Sequence, residues 1–352
     1  MSHTIGKVVR TGPGTYLVDS NGDLWFCHLR GRLKALAENS RDLPCVGDIV
    51  VLESIARERR EVAGATVSGT AVISEVLPRR TQISRLSPPD TPGRQRVEQV
   101  LAANVDQGVI VVSLTIPPLK AGTVERYLVL CRQAGVSAVV CLNKIDEVDP
   151  VTAGILSHLI ADSCTGETGN PVRSAEAGDE RWLRRTREIV SRLRNRGVPV
   201  VLTSAVTGKG LDELRRLLSG KTSVFLGPSG AGKTSILNRL EPGFAGKTLP
   251  VSSATSRGRH STTYSSLLRV GDGEVADIPG LRAIGFWDLD EEPVRSEYED
   301  IEELALACKF RNCSHTHEPG CAVKEAVERG ELEVSRYKRY VRLMREARRR
   351  PR

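Results

Sequence analysis

Long apolar runs are missing from this chain of 352 residues. No stretch of about eighteen apolar residues occurs, the least that a membrane-spanning helix needs, so no membrane partner is expected. The first residues, MSHTIGKVVR, lack the apolar core of a signal peptide, and a cytoplasmic protein is expected. Without an export signal, the eight cysteines are not expected in disulfides, and metal ligation or packing is the better reading. A strong charge of one sign is also lacking. The formal net charge of +8 is a mild basic excess that favours acidic partners, nucleic acid above all, without requiring them. One further absence concerns a motif and sets the main question.

The stretch GPSGAGKT, Gly227 to Thr234, fits the phosphate-binding pattern G-x-x-x-x-G-K-[ST] in full. TSVFL before it has the β-branched and apolar character of a buried strand, and SILNRL after it starts a helix. A nucleoside triphosphate is therefore expected. In an ordinary guanine-nucleotide switch the base-reading Asn-Lys-x-Asp lies downstream of this loop, and nothing after Thr234 matches it.

The motif stands upstream instead. QGVIVVSL (107–114) reads as a buried strand, TVERYLVLCRQAG (123–135) as a helix closed by glycine, and SAVVCLN (137–143) as a strand running into Asn143-Lys144-Ile145-Asp146. VPVVLTSA (198–205) is a strand ending in Ser204-Ala205. GKGLDELRRLL is a helix, the phosphate-loop strand follows, and EVADIPG ends in Asp277-Ile278-Pro279-Gly280, a D-x-x-G after another strand. Four motifs thus fall at strand C-termini, the edge where open α/β sheets bind ligands. Their order is base reader, Ser-Ala, phosphate loop, D-x-x-G. One cut and one rejoining convert the ordinary order into this one, which is a circular permutation.

Each motif has a chemical reason. Backbone N–H groups of Gly227, Pro228, Ser229, Gly230, Ala231, Gly232 and Lys233 form a cradle for phosphates, less the proline's, and the glycines let the chain approach closely. Lys233 reaches the β- and γ-phosphates, with Thr234 on Mg²⁺ and Ser235 following in the helix start. Asp277 holds the ion through water, and the Gly280 N–H senses the γ-phosphate. Asp146 can accept the guanine N1–H and N2–H₂ bonds that adenine cannot offer, while Asn143 and Lys144 brace the pocket. A site built on such a pair can reject the analogue by roughly 10⁴–10⁵.

Before this region, residues 1–85 read as all-β. Five short alternating runs (GKVVR, TYLVD, DLWFCHL, GDIVVLE, AVISEVL) and the hairpin signal Asn21-Gly22 fit a small barrel of the oligonucleotide-binding type. Arg30, Arg32, Arg57, Arg59, Arg60, Arg79, Arg80 and Arg85 read as lying outside the strands and point toward RNA phosphates, with a plain docking barrel as the alternative. A Pro-rich linker covers 86–97, the permuted α/β domain 98–286, and a mostly helical module 287–352.

In that last module Cys308-x₄-Cys313-x-His315-x₅-Cys321 offers three thiolates and an imidazole, enough for one closed, structural Zn²⁺ site. His317 rivals His315. Cys27, Cys45, Cys131, Cys141 and Cys164 read as packing residues. The run 288–303 is acidic and reads as a solvated helix face. The run 335–352 holds nine Arg or Lys and one Glu and reads as an RNA-phosphate contact, or as a solvated helix. The polar stretch 165–181 reads as a surface loop.

With NKID, TSA, GPSGAGKT, RGRHSTT (257–263), DIPG and the Cys-x₄-Cys-x-His-x₅-Cys spacing in view, the chain resembles the bacterial ribosome small subunit-dependent GTPase A family over nearly its whole length. The resemblance implies a barrel and a zinc module flanking a permuted GTPase. It further implies a monomer acting on the 30S subunit and its rRNA late in maturation, with slow GTP hydrolysis that the subunit stimulates. Ser261 departs from the family's Thr-Thr-Thr, which leaves the magnesium-binding switch residue as Thr262 or Thr263. Leu281 occupies the place of the water-orienting Gln of Ras-like enzymes. His260 is the candidate for that task, with an RNA contact or loop shaping as its alternative. Two rival functions remain: an RNA-binding assembly chaperone with GTP as a structural ligand, and a translation GTPase on mature ribosomes.

Overall fold

The structure, a computed structural model, describes residues 4–31, 33, 43–62, 65–86, 98–161, 177–242, 265–278 and 289–348. Five strands build the N-terminal barrel: β1 (Thr4–Gly12), β2 (Thr15–Ser20), β3 (Asp23–Leu29), β4 (Ile49–Val62) and β5 (Ala65–Val76). They pair in the order β1-β2-β3-β5-β4, and β4 returns to β1 to close the ring. Asn21 and Gly22, with φ of 54° and 88°, both take the left-handed conformation of a tight hairpin turn, so β3 folds directly back on β2. Val8, Val18, Trp25, Cys27, Val50, Leu52 and Ile73 fill the interior.

Four arginines differ from the sequence reading, while Arg30, Arg79 and Arg80 lie outside the strands as expected and Arg32 lies outside the described residues. Arg57, Arg59 and Arg60 lie inside β4, and Arg85 lies inside β6 (Gln82–Leu86). Residues 55–61 are exposed, so no apolar alternation marks them, and the ladder with β5 holds them extended. Arg79 is tied to the fully buried Asp48 at 2.8 Å, which makes it a structural cation.

β6 pairs with β7 (Glu98–Ala103) in a small two-stranded sheet. The α/β part follows with β8 (Gln107–Ser113), β9 (Ser137–Asn143), β10 (Val200–Thr203), β11 (Thr222–Leu226), β12 (Ser265–Val270) and β13 (Gly273–Asp277). The spatial order is β10-β9-β8-β11-β13-β12; the first five are mutually parallel, and β12 is antiparallel to β13. β12 in turn pairs with β1, so barrel and α/β sheet form one eleven-stranded sheet.

Alternation along the buried strands separates two cores. Ile110, Val112, Val140, Leu142 and Val224 face one side, under α1 (Ala121–Gln133), α2 (Pro150–Ala161) and α3 (Ala177–Asn195). Val109, Val111, Cys141, Phe225 and Val275 face the other, under α4 (Leu211–Leu218) and α5 (Lys233–Leu240). The stretch read as a loop over 165–181 ends in helix, because α3 starts at Ala177; its described buried anchors, Ile189, Val190 and Leu193, lie well beyond that stretch.

The C-terminal module holds α6 (Glu291–Glu297), α7 (Glu299–Ala305), α8 (Ala322–Glu328) and α9 (Val334–Arg348). Tyr298, Ile301, Val323, Tyr340 and Leu343 join the core of Val124 and Tyr127 on α1. Beside this contact sits buried Glu125 of α1. It accepts bonds from Arg339 (2.6 Å), Tyr298 Oη (2.8 Å), Arg336 (3.1 Å) and Arg192 (3.3 Å). Buried Glu297 pairs with Arg196 at 2.6 Å. Both terminal charge runs are thus partly internal: Glu297, Asp300, Arg336 and Arg339 hold the module together and to the α/β core. A wholly solvated acidic face is corrected on this point, and Arg336 and Arg339 do not contribute to an exposed basic face.

Candidate nucleotide site and metal centre

The described residues of all four parallel-strand motifs, Asp277 and Ile278 alone in the last, lie at one sheet edge. Asn143 closes β9, Thr203 and Ser204 close β10, Gly227 follows β11, and Asp277 ends β13. The phosphate loop makes its turn with Gly227, Gly230 and Gly232 at φ of 139°, 79° and 95°. A Cβ on Gly227 would stand 2.0 Å from the Val111 carbonyl oxygen, so the loop can lie this close to β8 only as glycine. α5 begins at Lys233, and Thr234 and Ser235 are exposed in its first turn. Lys233 Nζ donates to the carbonyls of Gly227 (2.6 Å) and Pro228 (2.8 Å).

Asn143 is 2% exposed and serves as a staple. Its Nδ2 donates to the Ala231 carbonyl at 2.8 Å, and its Oδ1 accepts from Thr203 Oγ1 at 3.1 Å. One amide therefore ties the Asn-Lys-x-Asp turn to the phosphate loop and to the strand before Ser204-Ala205. Lys144 follows in left-handed backbone (φ 68°), then a 3₁₀ turn over Ile145–Glu147 buries Ile145 and leaves Asp146 exposed. Buried Ser204 turns the next loop, its Oγ accepting from the N–H groups of Val206 (3.2 Å) and Thr207 (2.9 Å), with Ala205 beside it. This is an open edge with the exposed carboxylates of Asp146 and Glu147 at one end and a glycine cradle with a lysine at the other.

Sequence reasoning gave no role to two contributors, the first of which it quoted only as part of the TSA motif. Thr203 carries a hydroxyl at the end of an otherwise apolar strand, and that polar break was its signal. The loop after β8 is the second: Lys144 Nζ donates to the Ile116 carbonyl, and Thr115 Oγ1 meets Glu147. Its signal was the Pro117-Pro118 pair directly after a buried strand. His260, Thr262, Thr263, Gly280 and Leu281 lie outside the described residues, as do Cys164 and the residues from 87 to 97.

In the C-terminal module, Cys308, Cys313, His315 and Cys321 bring one ligand atom each to within 4.8 Å of one another. His315 Nδ1 stands 3.6 Å from Cys308 Sγ and 3.5 Å from Cys321 Sγ, and the two sulfurs are 3.9 Å apart. Those separations match the edges of a tetrahedron with ligand distances of about 2.0–2.3 Å. His317 is exposed and lies outside this cluster, its Nδ1 3.0 Å from Thr316 Oγ1. The knuckle is held from behind. Glu318 accepts the N–H bonds of Ser314 (2.8 Å), Thr316 (3.1 Å) and His317 (3.2 Å), and Tyr337 Oη donates to the His315 carbonyl at 2.6 Å. Soft thiolates with one imidazole, all four positions from protein, fit a structural metal ion.

Comparison with known proteins agrees with this geometry. The family model described as RsgA GTPase matches residues 76–167 and 174–287. A protein of Gemmatimonas aurantiaca named "Small ribosomal subunit biogenesis GTPase RsgA" is 34% identical over 342 residues, covering 97% of this chain and 96% of the relative. A Streptomyces avermitilis protein of the same name is 38% identical over 303 residues, 86% of this chain and 69% of its own. Among solved structures, YjeQ from Thermotoga maritima aligns with a TM-score of 0.64 and 28% identity over 99% of this chain and 100% of its own. YloQ, described as a circularly permuted GTPase, aligns at 0.61 and 26% over 100% and 97%. No helix among the described residues is long and apolar enough to cross a membrane. The chain belongs to the RsgA GTPase family.

Proposed function

We propose that this chain is a cytoplasmic GTPase of 30S ribosomal subunit maturation. It binds GTP at the sheet edge described above and hydrolyses it when the subunit engages. The observation that supports this reading best is the pair of hydrogen bonds made by Asn143, which joins a guanine-type turn after β9 to the phosphate loop after β11, across the intervening β8.

In this reading Asp146 takes the guanine N1–H and N2–H₂, Lys144 flanks the base, and Ile145, Ser204 and Ala205 complete the base end. Gly227 to Lys233 wrap the phosphates, and Lys233 exchanges its two loop carbonyls for phosphate oxygens. Thr234 and Asp277 would hold Mg²⁺ with Thr262 or Thr263, and a hydroxyl with a carboxylate suits that hard ion. When bound, Mg²⁺ neutralises charge on the phosphate oxygens. Gly280 senses the γ-phosphate and His260 orients the attacking water. The cluster of Cys308, Cys313, His315 and Cys321 would take one Zn²⁺, which supplies rigidity to the knuckle.

The rRNA contact is assigned to two faces. On α9, Lys338, Arg342 and Arg345 are exposed and line a groove of about 490 Å³ with Tyr337 and Thr316, whereas Arg336 and Arg339 are used internally. On the barrel, Arg57, Arg59 and Arg60 project from the exposed part of β4, with Arg60 over the Phe26 ring at 5.6 Å. The functional test compares GTP turnover with 30S, 50S and 70S particles. Stimulation by 30S alone is expected. Stimulation by 70S points to translation, and no stimulation with tight GTP binding points to an assembly chaperone. Asp146→Asn is expected to exchange GTP for xanthosine triphosphate, and a variant that keeps its original preference for GTP removes the base-reader assignment.

A further inference from the structure

Barrel strand β1 meets the α/β sheet at two places. Its main chain pairs with β12 at Arg10↔Ser266 and Thr11↔Ser265. Closer to its start, Lys7 Nζ donates to Thr222 Oγ1 at 3.1 Å and to the Glu274 carboxylate, and Thr222 Oγ1 donates to the same carboxylate at 3.1 Å. Lys7 and Glu274 are only 27% and 28% exposed.

The position of this tie is informative. Thr222 and Glu274 are direct partners in the β11–β13 ladder, which the structure records over three residue pairs. They stand at its opening end. The closing end carries the phosphate loop after β11 and Asp277 at the end of β13. Ser266, the partner of Arg10, is also the partner of Asp277. β1 therefore grips the β11-β13-β12 group at both ends. β8, β9 and β10, which carry the base end, lie beyond β11 in the strand order.

We propose that β1, although part of the barrel, is a positioning strand for the phosphate end of the nucleotide site: Lys7 and the Arg10–Thr11 ladder set Asp277 against the phosphate loop. This rests on the reading of Gly227 to Lys233 and Asp277 given above. The physical reason is leverage. Two neighbouring parallel strands joined over a short ladder can slip or splay, and a cation bridging their facing residues at one end fixes their register at the other. A load on the barrel then changes the magnesium and γ-phosphate end while leaving base recognition alone.

The test uses the full chain with Lys7→Met. Affinities for GDP and for a non-hydrolysable GTP analogue are measured across Mg²⁺ concentrations, with the preference for GTP over ATP as a control. The expected result is a loss of about fivefold in the analogue-to-GDP ratio, the scale of one partly exposed ion pair. The half-saturating Mg²⁺ concentration should rise, the GTP-over-ATP preference should stay, and Lys7→Arg should recover the ratio. If Lys7→Met melts below assay temperature, Glu274→Gln breaks the same tie from the other strand and carries the same expectation. An unchanged ratio with unchanged Mg²⁺ dependence overturns the proposal, as does an equal loss for GDP and the analogue. Failure of the underlying site reading shows differently: the unmodified chain would have no preference for guanine nucleotides.

Discussion

Gly232→Ala probes the coupling between the two ends of the candidate nucleotide site. Gly232 has φ of 95°, and a Cβ there would lie 2.2 Å from Asn143 Nδ2. Alanine in left-handed backbone costs about 1–2 kcal/mol. The contact also forces the Asn143 amide away, breaking its 2.8 Å bond to Ala231 and its 3.1 Å bond to Thr203. Each is buried and contributes about 1 kcal/mol net. The total is about 3–4 kcal/mol, a large share of a typical domain stability of about 5–15 kcal/mol. Urea unfolding of the nucleotide-free protein measures it. The decisive version is a cycle with Asn143→Ala. In that background the Cβ meets open space, so Gly232→Ala should cost only the backbone strain, leaving a coupling of about 2 kcal/mol. Costs that add to within about 0.5 kcal/mol, the limit for independent sites, would refute the reasoning.

Three further outcomes follow from other parts of the molecule. Metal analysis should find about one zinc per chain, and Cys313→Ser should release it and raise hydrogen exchange over residues 308–321 while guanine-nucleotide binding persists. Glu125→Ala strips a buried acceptor from Arg192, Arg336, Arg339 and Tyr298, and should cost about 3–5 kcal/mol in chemical unfolding. Burial pushes the Glu297 carboxyl up to about 7, against the pull of Arg196 and Arg132. The unfolded chain releases that proton near pH 4.3 while the fold retains it, so stability should fall as pH rises from about 4.3 to about 7. Glu297→Gln should flatten that slope.

The sequence made some elements visible and hid others for physical reasons. The five barrel strands and the parallel strands announce themselves because burial of one or both faces selects alternating or continuous apolar residues. Asn143, Lys144, Asp146, Gly227 to Lys233 and the three cysteines stand out because their chemistry demands fixed residue types at fixed spacing. The outer half of β4 was invisible, since residues 55–61 are exposed on both faces and their ladder with β5 is made by the main chain, which selects no side chain. The pairing of β1 with β12 was equally hidden. Which edges meet is a tertiary fact, and Arg10 and Ser266 carry no mark of it. The charge runs misled for a related reason. The acid that fixes Arg339 is Glu125, 214 residues earlier, and no local pattern reports such a partner. His315 was separable from His317 only once its imidazole could be seen facing the thiolates.

The two appended modules attach in a crossed arrangement that follows from the permutation. The barrel precedes the base-reading half in the chain, yet its strand β1 pairs with β12, on the flank that carries Asp277. The C-terminal module follows the phosphate half in the chain, yet it docks on α1, which packs on β8 and β9 beside the base end. Each half of the sheet is therefore held by the module that is farther away in sequence. In an uncrossed arrangement, the barrel with β8 to β10 and the C-terminal module with β11 to β13 could move as two independent blocks. Crossing removes that freedom. A displacement of either module bears on the half to which it is not directly joined in sequence. Asn143 closes the loop at the centre, where one amide bonds the strand next to the base reader and the phosphate loop together. Under the proposed function, a particle gripping the barrel and the C-terminal helix at once would thereby load both ends of the candidate nucleotide site. This makes the pair of modules, rather than either alone, the natural unit for coupling the site to a large partner.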